Sequence, residues 1–428
     1  MNRSNRRRNI KIYPIYKMLS WDLLFFYAIQ FLFLTMVKQI TASEILIING
    51  FYFFIKTILQ LPAIIVIDNI GNKKSIILGN CSLIIYILML ILLPGITSVV
   101  IGLCFFAVGL NIKTIAESNL LYNSISTRGG NSLFSKIEAR GGSLYYYLDG
   151  ISSLLSGYLF VVNMYLPIFI TLLFLIVATI LALFFKDVDN KLTNKIAYKT
   201  TKIDLKEYMV DLKVLVAFII KSKRLKAFIL FQMFFYSIIE IMFIYNSELL
   251  ITIGIEEEQF SGLLAIFTLI SGAALTLKRP IEKKFKNRTL TFLSVIYVVS
   301  VMIFSSVINV CDNSMSLLPI ILLMIIIQRS VASIWYIFKG KYIRNFTKEK
   351  YRSKIIFLYE AIGSLTVGIS SALGGLLLSV IDIKKAFIII SLLAVAILVL
   401  VLDYMRTRIG LRPEKYIKED IEPLFNRK

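Results

Sequence analysis

Ile64-Ile65-Val66-Ile67-Asp68-Asn69-Ile70-Gly71-Asn72-Lys73-Lys74-Ser75-Ile76-Ile77-Leu78 joins two apolar runs through one short polar turn. The first run covers residues 43–67 and the second 75–93. Each is long enough for a helix to cross the hydrocarbon core of a bilayer. The turn carries Lys73 and Lys74, whereas the next connection, Pro94-Gly95-Ile96, carries no charge. This alternation continues along the chain and decides the fold class.

Twelve such runs can be marked: 18–37, 43–67, 75–93, 97–122, 139–162, 164–185, 225–248, 259–277, 289–310, 316–338, 353–379 and 386–403. Nearly all of the 48 lysines and arginines fall in the two tails and in every second connection. Only Lys38, Lys384 and Lys385 fall in the opposite connections, and Lys56, Lys113 and Arg329 lie inside apolar runs. Basic residues are retained on the cytoplasmic side during insertion. The pattern therefore predicts an all-α polytopic membrane protein with 12 transmembrane helices and both termini in the cytoplasm. The expected organisation is a basic cytoplasmic tail (1–17), a six-helix bundle (18–185), a central cytoplasmic loop (186–224), a second six-helix bundle (225–405) and a cytoplasmic tail (406–428). Within the central loop, Leu205, Tyr208, Met209, Leu212, Leu215, Val216 and Ile219 recur at helical spacing and predict an amphipathic helix. The N-terminus lacks a convincing cleavage site, so 18–37 reads as a retained span.

Composition narrows the function. The chain of 428 residues is 57% hydrophobic with a mean hydropathy of +0.78, which suits a membrane protein. Its net charge of +22 is spread over many short loops, so it reads as the insertion signal and not as a nucleic-acid surface. Arg3, Arg6, Arg7 and Arg8 are expected to meet anionic membrane lipid. There is no histidine, which removes histidine catalysis, histidine metal sites and histidine proton relays. Cys81, Cys104 and Cys311 lack metal-binding spacing. No Gly-x-x-x-x-Gly-Lys-Ser/Thr run is present to cradle ATP phosphates. Neither an enzyme, nor a metal site, nor a cofactor is implied.

Gly150-Ile-Ser-Ser-Leu-Leu-Ser-Gly157 in the fifth span resembles Gly368-Ile-Ser-Ser-Ala-Leu-Gly-Gly375 in the eleventh. Fifth and eleventh spans are equivalent in a six-plus-six repeat, so the halves are expected to be related. Small residues four apart also let membrane helices approach closely, which would produce the likeness by convergence.

The turn quoted above resembles the signature Gly-x-x-x-Asp-Arg-x-Gly-Arg-Arg/Lys of the major facilitator superfamily. Asp68, Gly71 and Lys73 match it; Ile64 and Asn69 replace the leading Gly and the Arg. Glu117-Ser-Asn-Leu-Leu-Tyr122-Asn-Ser resembles the Asp-Ser-x-Leu-Leu-Tyr-Asp-Ser run of a bacterial, drug-exporter-like branch of that superfamily. Arg140 and Arg352 stand where that branch has arginine. The resemblance implies a cytoplasmic gate made by Asp68, Gly71, Lys73, Arg140 and Arg352. It also implies a cavity lined by spans one, two, four, five, seven, eight, ten and eleven.

Seven ionisable residues lie inside spans away from the inner edge: Lys56, Lys113, Glu117, Asp149, Glu240, Arg329 and Glu360. Each would cost roughly 2.5–3.5 kcal/mol at the bilayer centre if left in lipid. All seven fall in the lining spans that the resemblance implies. Asp149, Glu240, Glu117 and Glu360 are candidates for carrying a coupled proton. Lys56, Lys113 and Arg329 are candidates for the substrate cavity, with Tyr27, Gln30, Tyr146, Tyr245, Gln328 and Trp335. Lys113 is expected to pair with Glu117 one helical turn away, and Arg329 to offset Glu240.

The functional expectation is a monomeric secondary transporter in the cytoplasmic membrane of a bacterium. It would export a small amphipathic molecule in exchange for protons by alternating access. An importer of a nutrient or metabolite is the alternative within the fold, and a membrane sensor or immunity protein that only binds its ligand is the alternative outside it.

Overall fold

The computed structural model describes residues 2–125, 130–188, 205–310, 317–346 and 352–406. Cys311, residues 189–204 of the central loop and the tail from residue 407 lie outside the described residues. Among the described residues all regular structure is helical. In chain order the helices are α1 (Asn2–Ser20), α2 (Phe26–Leu32), α3 (Ala42–Ile70), α4 (Asn72–Leu92), α5 (Gly95–Ser124), α6 (Gly130–Val162), α7 (Leu166–Leu183), α8 (Leu205–Lys221), α9 (Lys223–Thr252), α10 (Glu257–Ala274), α11 (Lys278–Phe285), α12 (Thr289–Val310), α13 (Leu318–Phe346), α14 (Arg352–Val380) and α15 (Ile383–Arg406). Nine of these, among the described residues, are long and apolar enough to cross a membrane. The molecule is a multi-pass membrane protein.

Two of the expected spans are not single helices. The span expected over 18–37 is interrupted: α1 ends at Ser20, α2 starts at Phe26 and continues as a π-helix over Phe33–Val37. At the break the Asp22 carboxylate accepts a hydrogen bond from the backbone N–H of Leu23 (3.1 Å). A short acidic side chain of this kind competes with the helical ladder for backbone partners. Phe25 then takes a φ of 66°, a left-handed conformation that a bulky residue rarely adopts. The span expected over 259–277 also ends early. After α10 a 3₁₀ turn at Leu275–Leu277 leads into α11, and the two helices meet at 53°. Pro280 in the first turn of α11 has no backbone N–H to donate to the preceding turn.

The stretch 1–17 differs from the expected tail. It is helical from Asn2, and Asn9, Tyr13, Tyr16, Lys17 and Ser20 are all buried. These residues fall at helical spacing, so one face of α1 is a polar stripe turned inward. Tyr13 and Tyr16 join Ile67, Ile76, Ile112, Leu120 and Phe185 in one core cluster.

The chain divides into two compact units. Unit 1 comprises Met1–Thr41, Phe54–Ile203 and Glu256–Ala265; unit 2 comprises Ala42–Phe53, Asp204–Ile255 and Ile266–Lys428. In unit 1, α4 and α5 meet through Gly79 and Gly109. A Cβ on Gly109 would lie 2.8 Å from the Gly79 carbonyl oxygen, and one on Gly79 would lie 2.9 Å from that of Gly109. Lys38, in the connection before α3, is buried and donates to the carbonyl of Leu93 at the end of α4. A cation suits the negative end of a helix, and burial pushes the Lys38 ammonium pKa down. In unit 2, the first turns of α3 lie against α14. A Cβ on Gly50 would lie 2.7 Å from Gly368 O, and Ser43 Oγ donates to Gly375 O (2.7 Å). Here the small residues of Gly368–Gly375 serve close helix approach.

Replacing Gly50 with leucine should therefore overpack this contact and cost about 1–3 kcal/mol. Thermal unfolding in detergent should show a lowered Tm, and an unchanged Tm would contradict the close approach.

Candidate functional site

Unit 1 carries a buried polar network that begins at α1. Glu117, on α5, has no exposed surface. It accepts hydrogen bonds from Lys17 Nζ (2.7 Å) and Tyr16 OH (2.7 Å). Lys17 also lies 3.9 Å from Glu138 on α6, whose carboxylate accepts from Tyr13 OH (2.6 Å). The Lys17 ammonium sits over the Trp21 ring, 4.6 Å from its centroid. The close ion pair of Glu117 is therefore with Lys17, a contact spanning 100 residues of sequence, while its expected partner Lys113 stays within electrostatic range.

Lys113 instead reaches the helix break. Its side chain is fully buried, and Nζ donates to the carbonyl oxygen of Ser20, the last residue of α1. The last carbonyls of a helix have no partners within it, and they form the negative end of its dipole. An ammonium group here satisfies both. Asp22 stands just beyond, hydrogen-bonded by Tyr27 and within electrostatic range of Lys113 and Lys56. Lys56 is tied to α5 through its own carbonyl, which accepts from Asn111 Nδ2 (2.7 Å). Asp149 on α6 lies in the field of Asp22. Tyr145, on the same helix, stacks on Trp21 at 5.6 Å, while Tyr146 is 60% exposed. Gln30, on α2 beyond the break, is half-buried. The break thus gathers Asp22, Lys56, Lys113, Asp149 and Tyr27 in one region of unit 1.

Asp22, Lys17 and Asp187 were not among the sequence candidates. Asp22 and Lys17 lay at or before the expected inner edge of the first span. The polar stripe Asn9-Tyr13-Tyr16-Lys17-Ser20 was the available signal for Lys17.

Unit 2 has its own polar region on α9, α13 and α14. Glu240 accepts a hydrogen bond from Tyr336 OH (2.8 Å). Lys339 Nζ lies 3.2 Å from Glu360 Oε1. The same ammonium stands 5.2 Å from the Tyr236 ring centroid and 5.3 Å from that of Tyr336. Arg329 lies 4.1 Å from the Phe243 ring centroid and within electrostatic range of Glu240. Three expected cavity residues are buried among their neighbours. Trp335 is enclosed by Phe228, Phe231 and Phe235. Tyr245 donates to Gly374 O (3.1 Å), and Gln328 Oε1 accepts from Asn246 Nδ2 (2.8 Å).

Of the residues expected at a gate, Gly71 takes a φ of +84°, which glycine alone adopts without strain. The N-terminus of α4 behind it is capped by Asp187, whose Oδ1 accepts from the Lys73 backbone N–H (3.0 Å). Asp68 and Arg140 are exposed, and partial burial pushes the Asp68 carboxyl pKa up. Arg352 opens α14. Among the described residues no group of three or more His, Cys, Asp or Glu could hold a metal ion.

No protein-family model matches this sequence, and no curated protein matches it either. Solved structures do. A D-xylose–proton symporter matches with a TM-score of 0.70 at 10% identity, covering 96% of this chain and 99% of its own. The nucleoside transporter NupG matches with a TM-score of 0.69 at 10% identity, covering 94% of this chain and 99% of its own. The fold is theirs. A POT family transporter solved with 5-aminolevulinic acid also matches, with a TM-score of 0.64 at 13% identity over 94% of this chain and 95% of its own. All three neighbours are transporters, and at such identities the likeness concerns the fold.

Lys17→Met should leave Glu117 as a buried, unpaired carboxylate and destabilise the protein by about 3–5 kcal/mol. Adding Glu117→Leu should recover much of that loss. Thermal unfolding of the single and double variants checks this; a double variant no better than Lys17→Met would contradict the pairing.

Proposed function

We propose that the chain is a secondary transporter of the major facilitator type. It exports a small amphipathic molecule across the cytoplasmic membrane of a bacterium in exchange for protons. Twelve spans in two bundles (18–185 and 225–405), with both termini in the cytoplasm, accommodate this activity by alternating access.

One observation carries the reading. Within a transporter fold, ionisable side chains stand inside otherwise apolar helices (Lys56, Lys113 and Asp149 in unit 1, Glu240 and Arg329 in unit 2) and at the break between α1 and α2 (Asp22). Such groups are costly in a membrane and mark ion or substrate pathways. Asp22 and Asp149 lie within electrostatic range of one another. They are the proton carriers of unit 1, with Glu240 the carrier of unit 2. The buried Lys17–Glu117 pair holds helices together in this account. Gly71, Asp68 and Lys73, with Arg140 and Arg352, form the cytoplasmic gate.

A second reading is symport. A D-xylose–proton symporter stands among the structural neighbours, so the fold also serves movement of substrate and proton in one direction.

Energised inverted vesicles with a pH-sensitive dye separate the two. For export, one class of added compound should collapse the proton gradient. Asp22→Asn, Asp149→Asn or Glu240→Gln should slow the response at least tenfold. A response confined to right-side-out vesicles would favour symport. A full response in all three variants would remove the carboxylates from the proton path.

A further inference from the structure

We infer that Tyr236, Tyr336, Glu240 and Glu360 form a binding site for an organic cation, and that Lys339 occupies it as a tethered stand-in. The inference rests on the transporter reading and names the substrate class of its unit 2 region.

The two tyrosine rings meet nearly edge to face, 6.2 Å apart at 86°. The Lys339 ammonium is almost equidistant from both, at 5.2 and 5.3 Å. Both distances are within the roughly 6 Å over which a ring's quadrupole attracts a cation. Glu360 supplies the counter-charge at 3.2 Å. Tyr336 is fixed by its hydrogen bond to Glu240 (2.8 Å), which also brings a second carboxylate to the rim. Two aromatic faces with an adjacent carboxylate are the arrangement by which proteins recognise alkylated ammonium groups.

The site is partly open. The Glu360 side chain is 39% exposed and Tyr336 also 39%, whereas the Lys339 side chain is 17% exposed. A long, flexible side chain can leave along the open side, because its charged head needs only water to replace Glu360. Exchange of one monovalent cation for another also preserves the charge balance of Glu240, Glu360, Lys339 and Arg329. A neutral ligand would offer Glu360 a hydrogen bond at most and would leave its charge unbalanced. An anion would need Lys339 freed from Glu360 and would meet two carboxylates.

Tetraphenylphosphonium and tetraphenylborate have the same shape and opposite charge. Their equilibrium binding to the purified full-length protein in nanodiscs, by titration calorimetry, isolates the effect of charge without requiring transport. The unaltered protein should bind the phosphonium at least tenfold more tightly than the borate. Lys339→Met should tighten phosphonium binding several-fold by removing the competitor. Tyr336→Leu or Glu360→Gln should weaken it by roughly tenfold. Equal binding of both ions, or preference for the borate that disappears in Lys339→Met, would overturn the proposal. The comparison on the unaltered protein stands even where a variant fails to fold. Loss of cation preference with proton-coupled flux intact would refute only this site; preference without any flux would refute only the transporter reading.

Discussion

An ionised side chain inside an apolar bundle must find its partner within the bundle, because lipid offers none. Much of this structure follows from that constraint. Lys113 is fully buried and is stabilised by the free carbonyl at the end of α1. That carbonyl is free because the helix stops at Ser20, and Asp22 takes up backbone N–H beyond it. Break and lysine therefore support one another: a continuous helix would occupy the carbonyl, and an apolar residue at 113 would leave it without a partner. Glu117 is held by Lys17 and Tyr16 in the same way, and that requirement draws α1 into the core of unit 1. What the sequence presents as a basic tail becomes a structural helix for an electrostatic reason.

That the chain is an all-helical, multi-pass membrane protein was legible from one one-dimensional signal, apolar length. It describes how a segment partitions between water and lipid, which is a local property. The break at Asp22 was not legible by the same means. No proline or glycine marks it, and the residues around it are apolar enough to pass for a continuous span. Its cause is tertiary. The Glu117 pairing shows the same limit: Lys113, one turn away, has the right charge and spacing, yet the ammonium that reaches Glu117 comes from residue 17. Hydropathy also cannot separate an aromatic residue that faces an opening from one that fills a core. Trp335 and Tyr245 have the composition of cavity walls and are buried, whereas Tyr336, next to Trp335, keeps its hydroxyl on Glu240 and a partly open face. Gly71 was legible because a positive φ is a backbone demand that only the local residue can meet.

Two kinds of charge emerge. Lys17–Glu117 pairs at close range with little exposed surface and acts as a clasp. Asp149 and Glu240 are only partly covered, and they lie in regions rich in hydroxyl and ring groups. A clasp needs dryness, since water weakens it; a group that exchanges protons needs contact with water at some stage of its cycle. The account rests on this division, because a fold shared at 10% identity with a nucleoside transporter and a sugar symporter fixes neither substrate nor coupling.

The most direct measurement is the reactivity of cysteines placed at 149 and 240. The three native cysteines would be replaced by serine, and a membrane-impermeant thiol reagent applied to sealed vesicles of each orientation. The account predicts that Asp149→Cys and Glu240→Cys react, while Glu117→Cys stays protected. Protection of all three positions from both sides would mean that every buried charge is a clasp, and would contradict an aqueous path through the protein.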